Sequence, residues 1–113
     1  MEKIVEQGLL YDFYGELLTE HQQKIYEDAV YHDLSLSEIA KEQGISRQGV
    51  FDLIKRCNNI LEDYENKLHL VARFNEIKGK VSDVNRLAED ETVGHEKLRL
   101  EIKRLTGEIL EAL

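Results

Sequence analysis

The residues best suited to chemistry in this 113-residue chain are cations and amides, and they crowd into one stretch. Ser46, Arg47 and Gln48 stand where a helix is expected to begin, Phe51, Asp52, Lys55 and Arg56 follow within three turns, and Lys41 lies just upstream. These types suit nucleic acid. A guanidinium can take both acceptors of a guanine edge, and a carboxamide can pair with adenine in the same way. Ser46 and the open N–H groups of a first helical turn can hold a phosphate. Lys41, Lys55 and Arg56 can reach further phosphates. Phe51 can meet a thymine methyl or a protein surface. Asp52 repels phosphate unless it accepts from a cytosine amine.

No such set exists for catalysis or metal binding. His21, His32, His69 and His95 are scattered and make no ligand spacing. Cys57 is the single cysteine, which excludes an internal disulfide and a cysteine-cluster metal site. It falls on an apolar stripe, the place of a core residue, and no base can be placed beside it. The glycines are spread singly, so no phosphate-cradling loop is present. The carboxylates read as solvated helix faces. No catalytic residue, cofactor or metal is therefore expected. His21, at a helix start, is a lesser candidate for a phosphate. Lys97, Arg99, Lys103 and Arg104 alternate with Glu96, Glu101 and Glu108, as a solvated helix face does; contact with RNA or an acidic partner is the alternative.

Composition sets the frame. There is no proline, 42% of residues are hydrophobic and 34% charged, which suits long helices and excludes a disordered chain. The net charge is −8, concentrated in the first 34 residues; the middle third is near neutral and the tail mildly acidic. Such a balance favours solubility and opposes non-specific nucleic-acid binding. It also leaves the basic face used for phosphate neutralisation weak. No apolar run reaches membrane-spanning length and Met1-Glu2-Lys3 opens no signal peptide, so a cytoplasmic, reducing setting without membrane insertion is expected.

The elements that position the cations follow from periodicity and start signals. Ile4, Val5, Leu9, Leu10, Phe13, Leu17 and Leu18 predict a helix over residues 2–18. Thr19 with Gln22, and Ser35 with Glu38, are capping boxes that open two more helices. The first carries Ile25, Tyr26, Ala29 and Val30; the second carries Leu36, Ile39 and Ala40 and stops at Gly44. Ile45 is expected to turn inward and Ser46 to cap a long helix bearing Val50, Ile54, Cys57, Leu61, Tyr64 and Leu68, with a bend near Leu68-His69. Tyr11, Tyr14, Tyr26 and Tyr31 are expected to pack among the first helices. A second stripe, Phe74, Ile77, Val81, Val84, Leu87 and Ala88, is interrupted at Glu89-Asp90-Glu91-Thr92 and resumed by Leu98, Ile102, Leu105, Ile109 and Ala112. These stripes need partners: each other, the front half or a second chain. The expected architecture is all-α. A helix-turn-helix domain spans residues 1–68, with its motif at about 35–58, and a helical extension over 69–113 serves packing or dimerisation.

Within this frame, Leu18-Thr19-Glu20 with Gln23, Leu36-Ser37-Glu38-Ile39-Ala40 and Gly44-Ile45-Ser46-Arg47-Gln48-Gly49-Val50 resemble the promoter-reading fourth region of bacterial sigma factors. The resemblance implies that Arg47 matches a reading arginine. Gln48 stands where glutamate is usual, Gly49 and Phe51 stand where basic residues are common, and Asp52 takes a glutamine position. The scaffold is kept more clearly than the reader. With Leu10-Tyr11-Asp12-Phe13-Tyr14-Gly15 and Tyr64-Glu65-Asn66-Lys67-Leu68 added, residues 9–74 resemble the YlxM-like (p13-like) helix-turn-helix family. That resemblance implies a regulatory protein, a homodimer, and a link to the signal recognition particle.

Three readings remain open. The chain is a dimeric DNA-binding regulator, an accessory that binds the particle's RNA or protein component, or a protein-interaction scaffold whose module no longer reads DNA.

Overall fold

The computed structural model describes residues 2–113, with side chains from Val5 onward; Ile4, counted in the first apolar stripe, lies outside the described side chains. The regular elements among the described residues are all helical: α1 (Glu2–Tyr14), a single 3₁₀ turn (Gly15–Leu17), α2 (Glu20–Val30), α3 (Leu36–Gln43), α4 (Arg47–Leu68), α5 (Leu70–Glu89) and α6 (His95–Ala112). The chain divides into two compact units, Met1–His69 and Leu70–Leu113.

In the first unit, α4 packs against α1, α2 and α3. Both capping boxes form. Thr19 Oγ1 accepts from Gln22 N while Gln22 Oε1 accepts from Thr19 N, and Ser35 and Glu38 do the same. Each box satisfies two of the backbone groups that a helix start leaves open. Gly44 ends α3 in the left-handed region at φ 69°, and His69 ends α4 at φ 57°.

The first helix is shorter than its apolar spacing predicts. It stops at Tyr14 and tightens into the 3₁₀ turn, where Gln23 Nε2 donates to the carbonyls of Gly15 and Leu18, both at 3.0 Å. A Cβ on Gly15 would meet the Tyr11 ring at 2.8 Å, so any side chain there would have to displace that ring. In this tighter turn Leu17 faces outward, 56% exposed. Val5 and Phe13, expected inward, are also largely exposed.

Two layers fill this unit. Ile25, Ile39, Ala40 and Val50 form a dry cluster, flanked by Ala29, Leu34, Leu36, Leu53 and Ile54. The second layer is tyrosine-rich. Tyr11 stacks on Tyr26 at 5.3 Å and meets Tyr31 edge-on at 5.8 Å, and Tyr14 stacks on Tyr64 at 5.9 Å. The phenols find partners, as buried hydroxyls must. Tyr26 donates to Asn58 Oδ1, Tyr14 to Glu65 Oε1, Tyr11 to Glu27 and Tyr31 to Asp12. Cys57 is fully buried, and desolvation pushes its thiol up to about 11.

In the second unit, α5 and α6 pack along each other. Leu105 is buried, and Lys80 Nζ reaches Glu108 Oε1 at 2.8 Å across the pair. The intervening loop turns on Asp90 Oδ1, which accepts from the Thr92 amide and hydroxyl. Val81, expected in the stripe, is 52% exposed, as are Leu100, Leu110 and Leu113 to greater degrees. Two helices have only one mutual face, so one side of each stripe stays uncovered within the unit.

Asp28 is the exception in the first unit's interior. Its side chain is 2% exposed, and Oδ1 lies 2.9 Å from His32 Nδ1 and 3.3 Å from Lys24 Nζ. The His32 bond, helped by Lys24 and opposed by burial, holds the carboxyl below its usual range. A depressed folded-state value contributes stability at neutral pH and loses it as pH falls through that value. Between about pH 5 and pH 2, the native chain should lose stability relative to Asp28→Asn, read by denaturant unfolding at each pH. Gly44 offers a second check. A Cβ there meets nothing within 4 Å, so Gly44→Ala costs backbone strain alone, about 1 kcal/mol by thermal or denaturant unfolding.

Candidate nucleic-acid interface

The geometry of the interface begins with the turn. Gly44 reverses the chain, the Ile45 amide donates to the Ala40 carbonyl at 3.1 Å, and Ser46 takes the extended backbone of an N-cap. Ser46 Oγ accepts from Gly49 N at 2.9 Å, and the Ser46 carbonyl accepts from Val50 N at 3.0 Å. The hydroxyl oxygen that was a phosphate candidate is therefore the helix cap. Gly49 is small for a local reason: a Cβ would meet Ser46 Oγ at 3.1 Å and Ile45 at 3.9 Å.

Ile45 corrects an expectation. It is 38% exposed instead of turned fully inward. It sits one residue before the cap, outside the helix, and lies over the Gly49 face of α4, where a side chain shields the cap without entering the core. Val50 and Ile54 do the anchoring, Val50 at 0% exposure.

With Val50 fixed inward, helical geometry distributes the rest. Ser46, Arg47, Gln48, Phe51, Asp52, Lys55 and Arg56 are all exposed, and so is Lys41 on α3. They do not form one face. Gln48, Asp52 and Lys55 lie most directly opposite Val50, while Arg47 and Phe51 lean to the Leu36 side and Arg56 to the other, on a rotation of about 100° per residue. Gln48 Nε2 donates to Asp52 Oδ1 at 3.0 Å. The amide that would read adenine is thus already engaged one turn along. The motif's four cations, Lys41, Arg47, Lys55 and Arg56, are offset in number by Glu38, Glu42 and Asp52, leaving it barely positive.

Sequence reasoning offered Phe51 to a thymine methyl or a protein surface but missed the apolar neighbours that border it. Phe51, 50% exposed, borders a depression of about 420 Å³ with Leu36, Arg47 and Gln48, and another of about 330 Å³ with Leu36, Ile54, Lys55 and Asn58. Leu36 was read as core. Its place beside Phe51 comes from the closing of α3 on α4, which no local signal reports. Lys55 also borders a polar depression of about 410 Å³ between α1 and α4, shared with Glu6 and Glu62. Glu62 lies two turns further along α4 itself, but Glu6 comes from α1 and was equally invisible.

The other basic candidates belong to the second unit. Arg104 is spent on Glu101 and Glu108 at 2.8 and 2.9 Å, as a solvated helix face would have it. Among the described residues, no group of three or more His, Cys, Asp and Glu side chains is arranged to hold a metal ion, and no helix is long and apolar enough to cross a membrane.

Comparison with known proteins places these features in a family. Residues 1–103 match the family described as "Putative helix-turn-helix protein, YlxM / p13 like". The chain is similar to the UPF0122 protein of Thermoanaerobacter sp. (strain X514), 49% identical over 78 residues, which are 69% of this chain and 67% of the relative. Its counterpart in Bacillus thuringiensis (strain Al Hakam) is 39% identical over 99 residues, 88% of this chain and 90% of the relative. A third, from Acetivibrio thermocellus, is 45% identical over 84 residues, 74% and 72% of the two chains.

The division of α4 into a buried line and an open one is directly testable. Val50→Ala should cost about 2 kcal/mol of folding stability, and Phe51→Ser less than about 0.5 kcal/mol, both read by denaturant unfolding.

Proposed function

Since the chain belongs to the YlxM / p13-like family of helix-turn-helix proteins, we propose that it is a non-catalytic regulatory protein that contacts nucleic acid through the first turn of α4. The observation that carries this reading is the joint exposure of Arg47 and Gln48 at the capped start of a long helix, directly after the left-handed turn at Gly44. Such a helix start can enter a groove while the preceding helix crosses the backbone. The resemblance of residues 19–61 to the fourth region of sigma factors supports that orientation.

Arg47 is the primary contact, as the cation nearest the open end. Lys41, Lys55 and Arg56 take phosphates. Gln48 contributes only after its amide leaves Asp52, so reading at this position is weaker than a free glutamine would give. With so little net positive charge, affinity is modest and falls steeply with salt. The family resemblance supports a role in the cytosol, in the signal recognition particle pathway, with structured RNA of that particle as a ligand beside duplex DNA. Recognition of folded RNA rests on shape and backbone contacts more than on bases. The helical extension serves pairing with a second copy, which would present two α4 starts to one ligand.

A second reading makes the module a protein-binding accessory of the same particle. The Gln48–Asp52 bond and the half-exposed Phe51 favour it, since one mutes a reading residue and the other presents apolar surface.

The test is titration of the full chain against labelled signal-recognition-particle RNA and random duplex DNA at about 0.15 M salt, a concentration at which exposed charges are largely screened beyond a Debye length. Arg47→Ala should weaken binding about tenfold, and loss of any phosphate-contacting lysine should lower the salt slope by about one. Absence of binding to both ligands would remove the nucleic-acid reading.

A further inference from the structure

We infer that Glu6 and Glu62 are specificity determinants of the nucleic-acid face: they weaken phosphate contact at Lys55 and so bias binding toward ligands held at the first turn of α4. This deepens the nucleic-acid reading and rests on it.

The polar depression between α1 and α4 is bordered by Glu6 of α1 and by Lys55, Asn58 and Glu62 of α4. Among the described residues Lys55 is the only cation on its rim. Glu62 follows Lys55 by seven residues, which on a helix is two turns less about 20°, so the two share one side of α4 about 10 Å apart along its axis. Asp52 precedes Lys55 by three residues and is its neighbour on the adjoining turn. Lys55 makes no ion pair among the described residues. The three carboxylates therefore act on it through their field, leaving its charge hydrated while lowering its attraction for a phosphate.

The fold ties Glu6 to this place. Tyr11, five residues further along α1, stacks on Tyr26 at 5.3 Å, and Tyr26 donates at 2.6 Å to Oδ1 of Asn58, on the rim of the same depression. The acidic start of α1 is thus joined to the stretch of α4 that carries Lys55.

Charge balance shows what the two acids change. Within the motif four cations outnumber three acids; Glu6 and Glu62 reverse that balance around α4. Exposed charges act on one another over about 8 Å at physiological salt, so acids bordering one depression reach Lys55 while acids elsewhere are screened. A duplex lying along α4 as far as Lys55 brings its phosphates to Glu6 and Glu62 as well. A ligand held at Arg47, about 12 Å nearer the helix start, does not meet them. The acids therefore penalise extended contact along α4 more than contact at its start.

The experiment titrates labelled random duplex DNA with the full-length protein at about 0.15 M salt, read by fluorescence anisotropy. The variants are Glu6→Gln/Glu62→Gln, each single substitution, Lys55→Met, and the triple substitution. Glu16→Gln/Glu20→Gln removes the same charge from acids that do not border the depression. Arg47→Ala tests the helix start, and circular dichroism checks folding throughout. Removing Glu6 and Glu62 should raise affinity about tenfold, about threefold for each charge. The Glu16/Glu20 pair should change it by less than about twofold, and the gain from Glu6 and Glu62 should fall below about twofold once Lys55 is methionine.

An equal gain from the Glu16/Glu20 pair, or a gain that persists in full without Lys55, would mean that net charge alone is at work and would overturn the inference. No gain from Glu6→Gln/Glu62→Gln, with native binding that Arg47→Ala weakens, would overturn the inference and leave the nucleic-acid reading standing. No binding by the native chain or by any folded variant would overturn both. Binding that appears only when the two acids are removed, and that needs Lys55, would support the inference.

Discussion

The contact on which the rest of this protein depends is the closure of α3 onto α4 around the left-handed Gly44. Ile39 and Ala40 from one side and Val50 from the other meet Ile25 of α2 in a layer from which water is nearly absent. Each aliphatic chain fully buried there contributes on the order of 1.5–3 kcal/mol. The smallness of Ala40 lets the helices approach. Once Val50 is inward, α4 cannot rotate, and every residue on its first turns has an assigned side. Exposure of Arg47, Gln48 and Phe51 is thus a consequence of packing at Val50, one to three residues away from them.

The tyrosine layer extends that control down α4. Tyr26 is stacked on Tyr11 and hydrogen-bonded to Asn58, while Tyr14 is stacked on Tyr64 and bonded to Glu65. Each ring therefore joins two elements by area and by a directed bond, which resists sliding as well as separation. This ties the acidic N-terminal helix to the module that carries the cations. Glu6 and Glu62 end beside Lys55, and the module's electrostatics are set partly by residues outside the motif.

The exposed surface is consequently mixed. One strip carries Gln48 bound to Asp52 and is nearly neutral; the neighbouring strip is apolar and flanked by cations. A surface built only for phosphate would be more uniformly basic, and one built only for protein would have less need of Arg47 and Gln48 at an open helix start. The two proposed uses would draw on the same cations, so occupancy by one ligand would bear on the other.

Local chemistry determined much of this from the sequence alone. Capping boxes at Thr19 and Ser35, the Gly44 stop and the Ser46 cap are short-range devices, legible because donor and acceptor lie within three residues of each other. The core positions Val50, Cys57 and Leu61 and the exposed cations of α4 follow from helical period in the same way. Tertiary structure decided what depends on distant partners. The end of α1 at Tyr14 rests on Gln23 and on the Tyr11 ring over Gly15; the partial exposure of Ile45 and Leu36 rests on how α3 meets α4. Leu36 and Phe51 border one depression, and Glu6 and Lys55 another, bringing together residues 15 and 49 positions apart. Periodicity says which face of a helix is apolar, but whether that face is covered, and by what, is settled only when the helices are brought together.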